Sequence, residues 1–202
     1  MKRIYLVRHA QSEYNEKGIF QGSLDSDLTP LGYVQARLLA MYLSGLGIEK
    51  IISSPQRRAL KTAVYVGDFL NMEVDIDERI REISFGDLEG RRFLDLMQER
   101  GEEIRNWLKN PVKNPLPTQE PLEDFERRVR EFLEDLKKME ENNILIVAHG
   151  GTLHALICIA IEIGLENMWN IHKDNTGISC LEYDGNSFKL LFLNRLCHLR
   201  QM

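Results

Sequence analysis

Apolar residues fall along this chain in two alternating rhythms. Short β-branched runs stand at Ile4 to Val7, Lys50 to Ser54, Glu73 to Ile76 and Ile144 to Ala148. Each is too short for a helix and reads as a strand. The last is almost continuously apolar, the pattern of a strand buried on both faces. Between these runs the spacing turns helical. Thr29-Pro30 couples a capping hydroxyl to a proline at the first helical position, and Leu31, Val34, Leu38 and Tyr42 follow as an apolar stripe until Gly45 and Gly47 stop it. Pro55 opens a second helix with the stripe Ala59, Ala63, Val66 and Leu70. Pro121 to Asn142 reads as a charged amphipathic helix, whose run from Glu123 to Lys138 is expected to be a solvated face. Gly150-Gly151 leads into an apolar helix ending near Gly164. Ile178 to Tyr183 and Phe188 to Leu193 form a hairpin pattern turning at Asp184-Gly185-Asn186. Strands alternating with helices predict an α/β fold, a three-layer α/β/α sandwich with a mostly parallel central sheet.

Two stretches break the rhythm. Residues 10 to 28 are polar, with Gly18, Gly22 and several Asp and Ser, the pattern of a loop. Residues 77 to 120 carry Gly86, Gly90, one or two short helical patterns and the prolines Pro111, Pro115 and Pro117. A section this long inside a small domain is expected to be a compact lid or binding insert. With 202 residues against about 150 per domain, the expected organisation is a single domain over 1–202.

Composition narrows the function class. The chain is 43% hydrophobic and 28% charged, which excludes disordered and collagen-like classes. Its net charge is -5, which argues against nucleic acid and sits awkwardly with an anionic substrate. Cys158, Cys180 and Cys197 are odd in number, widely spaced and without a CxxC, so neither a disulfide framework nor a structural zinc site is expected. The N-terminal apolar run is too short for a signal peptide, and Leu153 to Gly164 is too short and polar to span a bilayer. A cytoplasmic protein with no membrane partner is the expectation.

Chemistry concentrates at the strand ends, where open α/β sheets bind ligands. The first strand delivers Arg8-His9, the second delivers Ser53-Ser54-Pro55-Gln56-Arg57-Arg58, and the strand from Ile144 delivers His149-Gly150. Arginine presents an always-charged fork suited to phosphate or carboxylate. His149 precedes a helix whose free N–H groups favour an anion. The set points to phosphoryl binding with a histidine nucleophile. Composition alone leaves Arg57 and Arg58 as competitors for the second arginine, and Asp77, Glu78, Glu82 and Glu89 as competitors for a proton carrier.

The run Leu6-Val7-Arg8-His9-Ala10-Gln11-Ser12-Glu13-Tyr14-Asn15 resembles the R-H-G-x-[ST]-x-x-N signature of the histidine phosphatase superfamily, in its phosphoglycerate-mutase-like branch. Gln21-Gly22 and Asp27-Leu28-Thr29-Pro30-Leu31-Gly32 continue the resemblance, as do Ser53-Ser54-Pro55 through Arg58-Ala59 to Thr62-Ala63, Glu82 through Gly90, and Val147-Ala148-His149-Gly150-Gly151. The blocks stand in the family's order and cover almost the whole chain. Ala10, Gln11 and Leu88 depart from the usual glycine, glutamate and tryptophan.

The resemblance implies roles. His9 is the nucleophile that becomes a phosphohistidine, with a backbone carbonyl holding its other N–H. Arg8 and Arg58 clamp the phosphoryl oxygens, His149 donates to them from the facing side, and Asn15, Gln21, Gly22 and Gly150 complete the phosphate and substrate site. Glu82 protonates the leaving oxygen and then activates water. No metal or cofactor is implied. The compact insert favours a phosphatase acting on a small phosphomonoester over a cofactor-dependent phosphoglycerate mutase. Leu193 to Leu199 and Asp174 to Ser179 look like the metal-independent phosphoserine phosphatases, although that group tends to place a histidine where Phe85 stands. Phosphoserine therefore ranks first as substrate, ahead of α-ribazole phosphate. A non-catalytic phospholigand-binding scaffold would require loss of His9 or Glu82, and both are present. The apolar hairpin from Ile178 to Leu193 offers an edge for a homodimer.

Overall fold

Strand β1 (Lys2–Arg8) sends its side chains alternately to the two faces of the sheet. Ile4 and Leu6 enter one apolar cluster, and Tyr5 and Val7 enter the other. In the computed structural model, which describes residues 1–200, β1 lies inside a six-stranded sheet ordered β3-β2-β4-β1-β5-β6. Its other strands are β2 (Lys50–Ser53), β3 (Val74–Ile76), β4 (Asn143–Ala148), β5 (Ile178–Tyr183) and β6 (Phe188–Arg195). The first four in that order run parallel, and β5 and β6 add an antiparallel edge.

Register decides where the strands end. Arg8 lies opposite Ala148, and Ser53 opposite Val147. Pairing continues one step past the strands, with the His9 N–H donating to Ala148 O at 2.9 Å and the Ser54 N–H to Val147 O at 3.0 Å. The three motif-bearing strands therefore finish nearly level.

Helices cover both faces, as the pattern predicts. On one side α2 (Pro30–Leu43) and α3 (Arg57–Leu70) bring Leu39, Leu43, Ala59, Ala63 and Val66 onto the sheet. On the other, α6 (Leu122–Lys138) and α7 (Gly150–Ala160) pack with α4 (Phe93–Glu99) and α5 (Gly101–Lys109). Residues 77–120 are part of this core: Ile80, Ile83, Leu88, Leu96, Ile104, Trp107 and Leu116 are all buried in it. The loop expected over 10–28 contains one helical turn, α1 (Glu13–Glu16), closed by a reciprocal Ser12–Asn15 capping box. Among the described residues no helix is long and apolar enough to cross a membrane.

Three local expectations are corrected. The buried face of α2 is rotated from the predicted stripe: Leu31 and Val34 are 39% and 47% exposed and Leu38 and Tyr42 are half-buried, while Gly32, Ala36, Leu39, Ala40 and Leu43 are buried. Close approach outranks hydrophobicity here. A Cβ on Gly32 would sit 2.2 Å from the Gln11 carbonyl oxygen, and Ala36 packs against Ala10 and Leu28. Helix α3 starts at Arg57 rather than Pro55, because Asp25 accepts the Arg57 N–H at 2.5 Å and so caps it from a distant loop. Helix α6 ends at Lys138, four residues early, where Lys2 Nζ donates to the carbonyls of Leu136 and Met139 at 2.6 Å each.

Gly32→Ala tests the close contact beneath the β1 loop. Helix propensity favours alanine by about 1 kcal/mol, but overpacking against a backbone carbonyl costs about 1–3 kcal/mol or more. The expected result is a net loss of about 1–2 kcal/mol, read as a Tm lower by about 2–4 °C per kcal/mol in thermal unfolding. An unchanged or higher Tm would contradict the packing.

Candidate active site

His9 leaves the end of β1 buried, and its Nδ1 lies 2.8 Å from its neighbour's carbonyl, Ala10 O. A carbonyl only accepts, so Nδ1 carries the proton and the Nε2 lone pair is free. Burial, reinforced by the Arg58 and Arg8 charges and opposed by the Ala10 bond, holds the imidazole well below its usual pKa range. His9 is therefore neutral and nucleophilic at neutral pH.

His149 leaves the end of β4, its ring centroid 5.2 Å from that of His9. It is fully buried, and its Nε2 lies 2.7 Å from the Ser54 hydroxyl at the end of β2. Burial first, and then the Arg58 charge, keep it neutral as well. Its side chain makes no capping bond to α7.

The two candidate arginines are fixed by carbonyls. Arg8 Nη1 donates to Lys173 O at 2.7 Å. Arg58, 1% exposed in the first turn of α3, donates to Leu24 O at 2.6 Å and Gly22 O at 2.9 Å. Arg57 is exposed, so geometry separates the two competitors. Gly22 adopts φ +51°, and a Cβ there would collide with the Glu89 carboxylate, so glycine is needed to deliver its carbonyl. Arg8 Nε, Arg58 Nε and His149 Nδ1 are buried and find no partner among the described residues. Buried donors are rarely left unpaired, so these nitrogens call for an external acceptor.

Glu82 occupies the place that the sequence assigns to an incoming anion. Its Oε2 accepts the Gly151 N–H at 3.1 Å and its Oε1 accepts the Thr152 N–H at 2.9 Å. The group at the N-terminus of α7 is thus the Glu82 carboxyl. Gly151 makes this possible, since a Cβ there would lie 2.8 Å from Glu82 Oε1. Of the competing carboxylates, Glu78 is exposed and the other two are engaged elsewhere. Asp77 pairs with Arg79. Glu89 ties Ser23 to Ser84 and Phe85. Its burial pushes the pKa up, yet those hydrogen bonds outweigh it and leave the pKa below the usual range.

Asn15 accepts from the Ser12 N–H at 3.1 Å and from Asn175 Nδ2 at 3.2 Å, which assigns its oxygen and frees its Nδ2. Gln21 Oε1 is likewise engaged by the Ser26 hydroxyl at 3.0 Å. Arg8, His9, Asn15, Gln21, Gly22, Arg58, Glu82 and Gly150 all line one cleft of about 320 Å³, and His149 stands behind His9. Among the described residues no group of three or more His, Cys, Asp or Glu side chains is arranged to hold a metal.

Sequence reasoning missed a supporting set. Gln56 accepts the Glu82 N–H at 2.7 Å and donates to Gly22 O at 2.7 Å, joining Glu82 to the loop that holds Arg58. Arg128, inside the supposedly solvated charge run, is buried and donates to the Arg79, Arg81 and Glu82 carbonyls while pairing with Glu120. Lys173 is buried under β1 with Nζ on Leu6 O and Ser179 Oγ, and burial followed by the Arg8 charge pushes it down to about 7. Asn175 donates to His9 O at 2.9 Å. Gln56 and Asn175 stand inside the matched runs but at positions to which no role was assigned, and Arg128 and Lys173 lie outside them; each ends on a backbone group distant in sequence. His154, set aside with His172 and His198, lies in the cleft wall against Trp169. His172 is exposed beside Asp174, and His198 is buried 3.1 Å from Thr176 Oγ1.

Residues 4–196 match the sequence profile described as the Histidine phosphatase superfamily (branch 1). A Hydrogenobacter thermophilus protein named "Putative phosphoserine phosphatase 2" is 59% identical over 202 residues, covering 100% of both chains. The "Adenosylcobalamin/alpha-ribazole phosphatase" of Escherichia coli K12 is 32% identical over 194 residues, covering 95% of each. Among solved structures, a mycobacterial glucosyl-3-phosphoglycerate phosphatase complexed with VO3 superposes with a TM-score of 0.90 at 27% identity, covering 97% of this chain and 100% of that one.

The buried neutral histidines make stability pH-dependent. Burial, ahead of the charges of Lys173, Arg8 and His172, pushes His154 down to about 3. Below about pH 6.5 the unfolded chain protonates this residue and the folded chain does not, so stability falls as pH drops from 6.5 toward 3. Between pH 7.5 and 5 this one group costs about 2 kcal/mol. In urea unfolding, His154→Leu is expected to lose about that much less stability over the same interval; an unchanged pH dependence would contradict a neutral folded-state His154.

Proposed function

The chain belongs to the histidine phosphatase superfamily, and from that premise we propose that it hydrolyses small phosphomonoesters through a phosphohistidine formed on His9. The observation that carries this reading is the free Nε2 of His9, fixed by Ala10 O, among the unpartnered nitrogens of Arg8, Arg58 and His149. The working unit is one domain over 1–202, with the segment 77–120 supplying Glu82 and part of the cleft wall.

In the first half-reaction His9 Nε2 attacks phosphorus, the P–N bond forms and the bond from phosphorus to the alcohol oxygen breaks. Glu82 gives its proton to that oxygen. In the second half, water loses a proton to Glu82 and attacks phosphorus, the P–N bond breaks and phosphate leaves. Arg8 and Arg58 hold the equatorial oxygens, and Asn15 Nδ2 adds a donor. A Ser54 hydroxyl donating to His149 Nε2 leaves His149 Nδ1–H to donate to the same phosphoryl group. No step runs through a metal, so turnover is expected to survive EDTA.

The alcohol is less determined than the reaction. The relatives named above carry the names of three different phosphoesters on one fold, with phosphoserine attached to the relative at 59% identity and so first among candidates by name. The antiparallel edge strand β6 exposes Leu191 and Leu193, which supports pairing of two copies through that edge.

Intact-mass analysis after brief exposure to an aryl phosphate is expected to show a transient phosphoryl adduct that His9→Ala abolishes together with turnover. Glu82→Gln is expected to lower kcat about 10²–10⁴-fold on alkyl esters. The loss should be smaller on aryl esters, whose leaving oxygen needs no proton. An adduct that persists in His9→Ala, or equal losses on both ester classes, would refute the assigned roles.

A further inference from the structure

Beyond the phosphate cradle the cleft changes character. Its outer wall is Phe20, Phe85, Phe93 and Trp169, with Phe20 packed edge-on to Phe85 at 5.3 Å and against Phe93 at 5.7 Å. Phe85 and Trp169 lie 6.3 Å apart, so the rings form one continuous surface. The charged residues lining the cleft are Arg8, Arg58 and Glu82, and each is already committed to backbone groups around the reacting centre.

One polar side chain stands in this wall unused. His154 is 7% exposed, and neither of its ring nitrogens has a partner among the described residues. Its ring meets Trp169 edge-on at 5.8 Å and 83°, with the Trp169 Nε1 also buried and unpartnered. Leaving a buried polar group without a partner is costly, so an unpartnered imidazole in the wall of a ligand cleft is read as a recognition group. A neutral imidazole offers one donor and one acceptor but no charge.

We propose that the alcohol half of the substrate is an uncharged, apolar or aromatic group that lies against Phe20, Phe85, Phe93 and Trp169, and that His154 selects it by a hydrogen bond to one polar atom on that group. This rests on the phosphomonoesterase reading and sharpens its substrate class. A zwitterionic alcohol such as the serine of phosphoserine would lay an ammonium and a carboxylate on phenyl rings, with no counter-charge among the described lining residues outside the cradle. An aromatic alcohol gains buried area against the same rings.

The test compares kcat/KM for benzyl phosphate, the three isomeric pyridylmethyl phosphates and phosphoserine, in the wild type, His154→Leu and His154→Gln. Benzyl phosphate is expected to exceed phosphoserine about tenfold or more. The best pyridylmethyl isomer is expected to exceed benzyl phosphate about 3–10-fold. His154→Leu should collapse that second ratio toward one, and His154→Gln, which keeps a donor and an acceptor, should retain part of it. Phosphoserine outrunning benzyl phosphate in the wild type overturns the proposal without any variant. A pyridyl-to-benzyl ratio unchanged in His154→Leu removes His154 from it. Hydrolysis of none of these esters would instead refute the phosphomonoesterase reading on which the proposal rests.

Discussion

Parallel pairing of β1 with β4, in a register that sets Arg8 against Ala148, is the constraint from which the site follows. A shift of one residue would turn Ile4 and Leu6 toward the helices that now cover Tyr5 and Val7, and would reverse both core faces. The central strands are buried on both sides, so that slip is energetically closed. The register that satisfies the core also brings His9, Ser54 and His149 out of the sheet side by side. Catalytic geometry here inherits its accuracy from hydrophobic packing.

Electrostatics is arranged around that point in an economical way. Two guanidiniums beside two neutral imidazoles form a compact positive pocket in a protein of net charge -5. The acidic total therefore says little about the ligand, because long-range charge is screened while buried charge is not. The N-terminus of α7 is used to hold Glu82, which keeps that carboxyl off the two guanidiniums. Glu82 and the two arginines are thus neighbours that do not compete for the same donors.

The supporting contacts share one form: a side chain from one element ends on the backbone of another. Gln56 links Glu82 to Gly22, Arg128 holds the carbonyls on either side of Glu82, and Asn175 holds His9 O. Each satisfies a backbone group that the irregular loops leave unpaired. The same bonds fix the loops that carry the reactive groups, so satisfying the backbone and orienting the site are one requirement.

The sequence by itself determined the layer architecture and the alternation of strands and helices along the chain, and it named His9, Arg8, Arg58, Glu82 and His149 as candidates that the strand ends would bring together. These depend on period-two and helical patterning and on short motifs, which are local properties of the chain. Only the tertiary structure decided which face of α2 is buried, where α3 begins and α6 ends, and which group sits on the N-terminus of α7. Leu31 and Val34 are turned out because Gly32 and Ala36 allow the helix to approach the loop at Ala10 and Gln11. Lys2 ends a helix about 134 residues away, and Asp25 starts another 32 residues away. Arg128 in a charge run and His154 on an apolar helix carry no local sign of their positions. Their environments are made by segments distant in sequence, and a pattern read over one or two turns holds no information about a partner that arrives only when the chain closes.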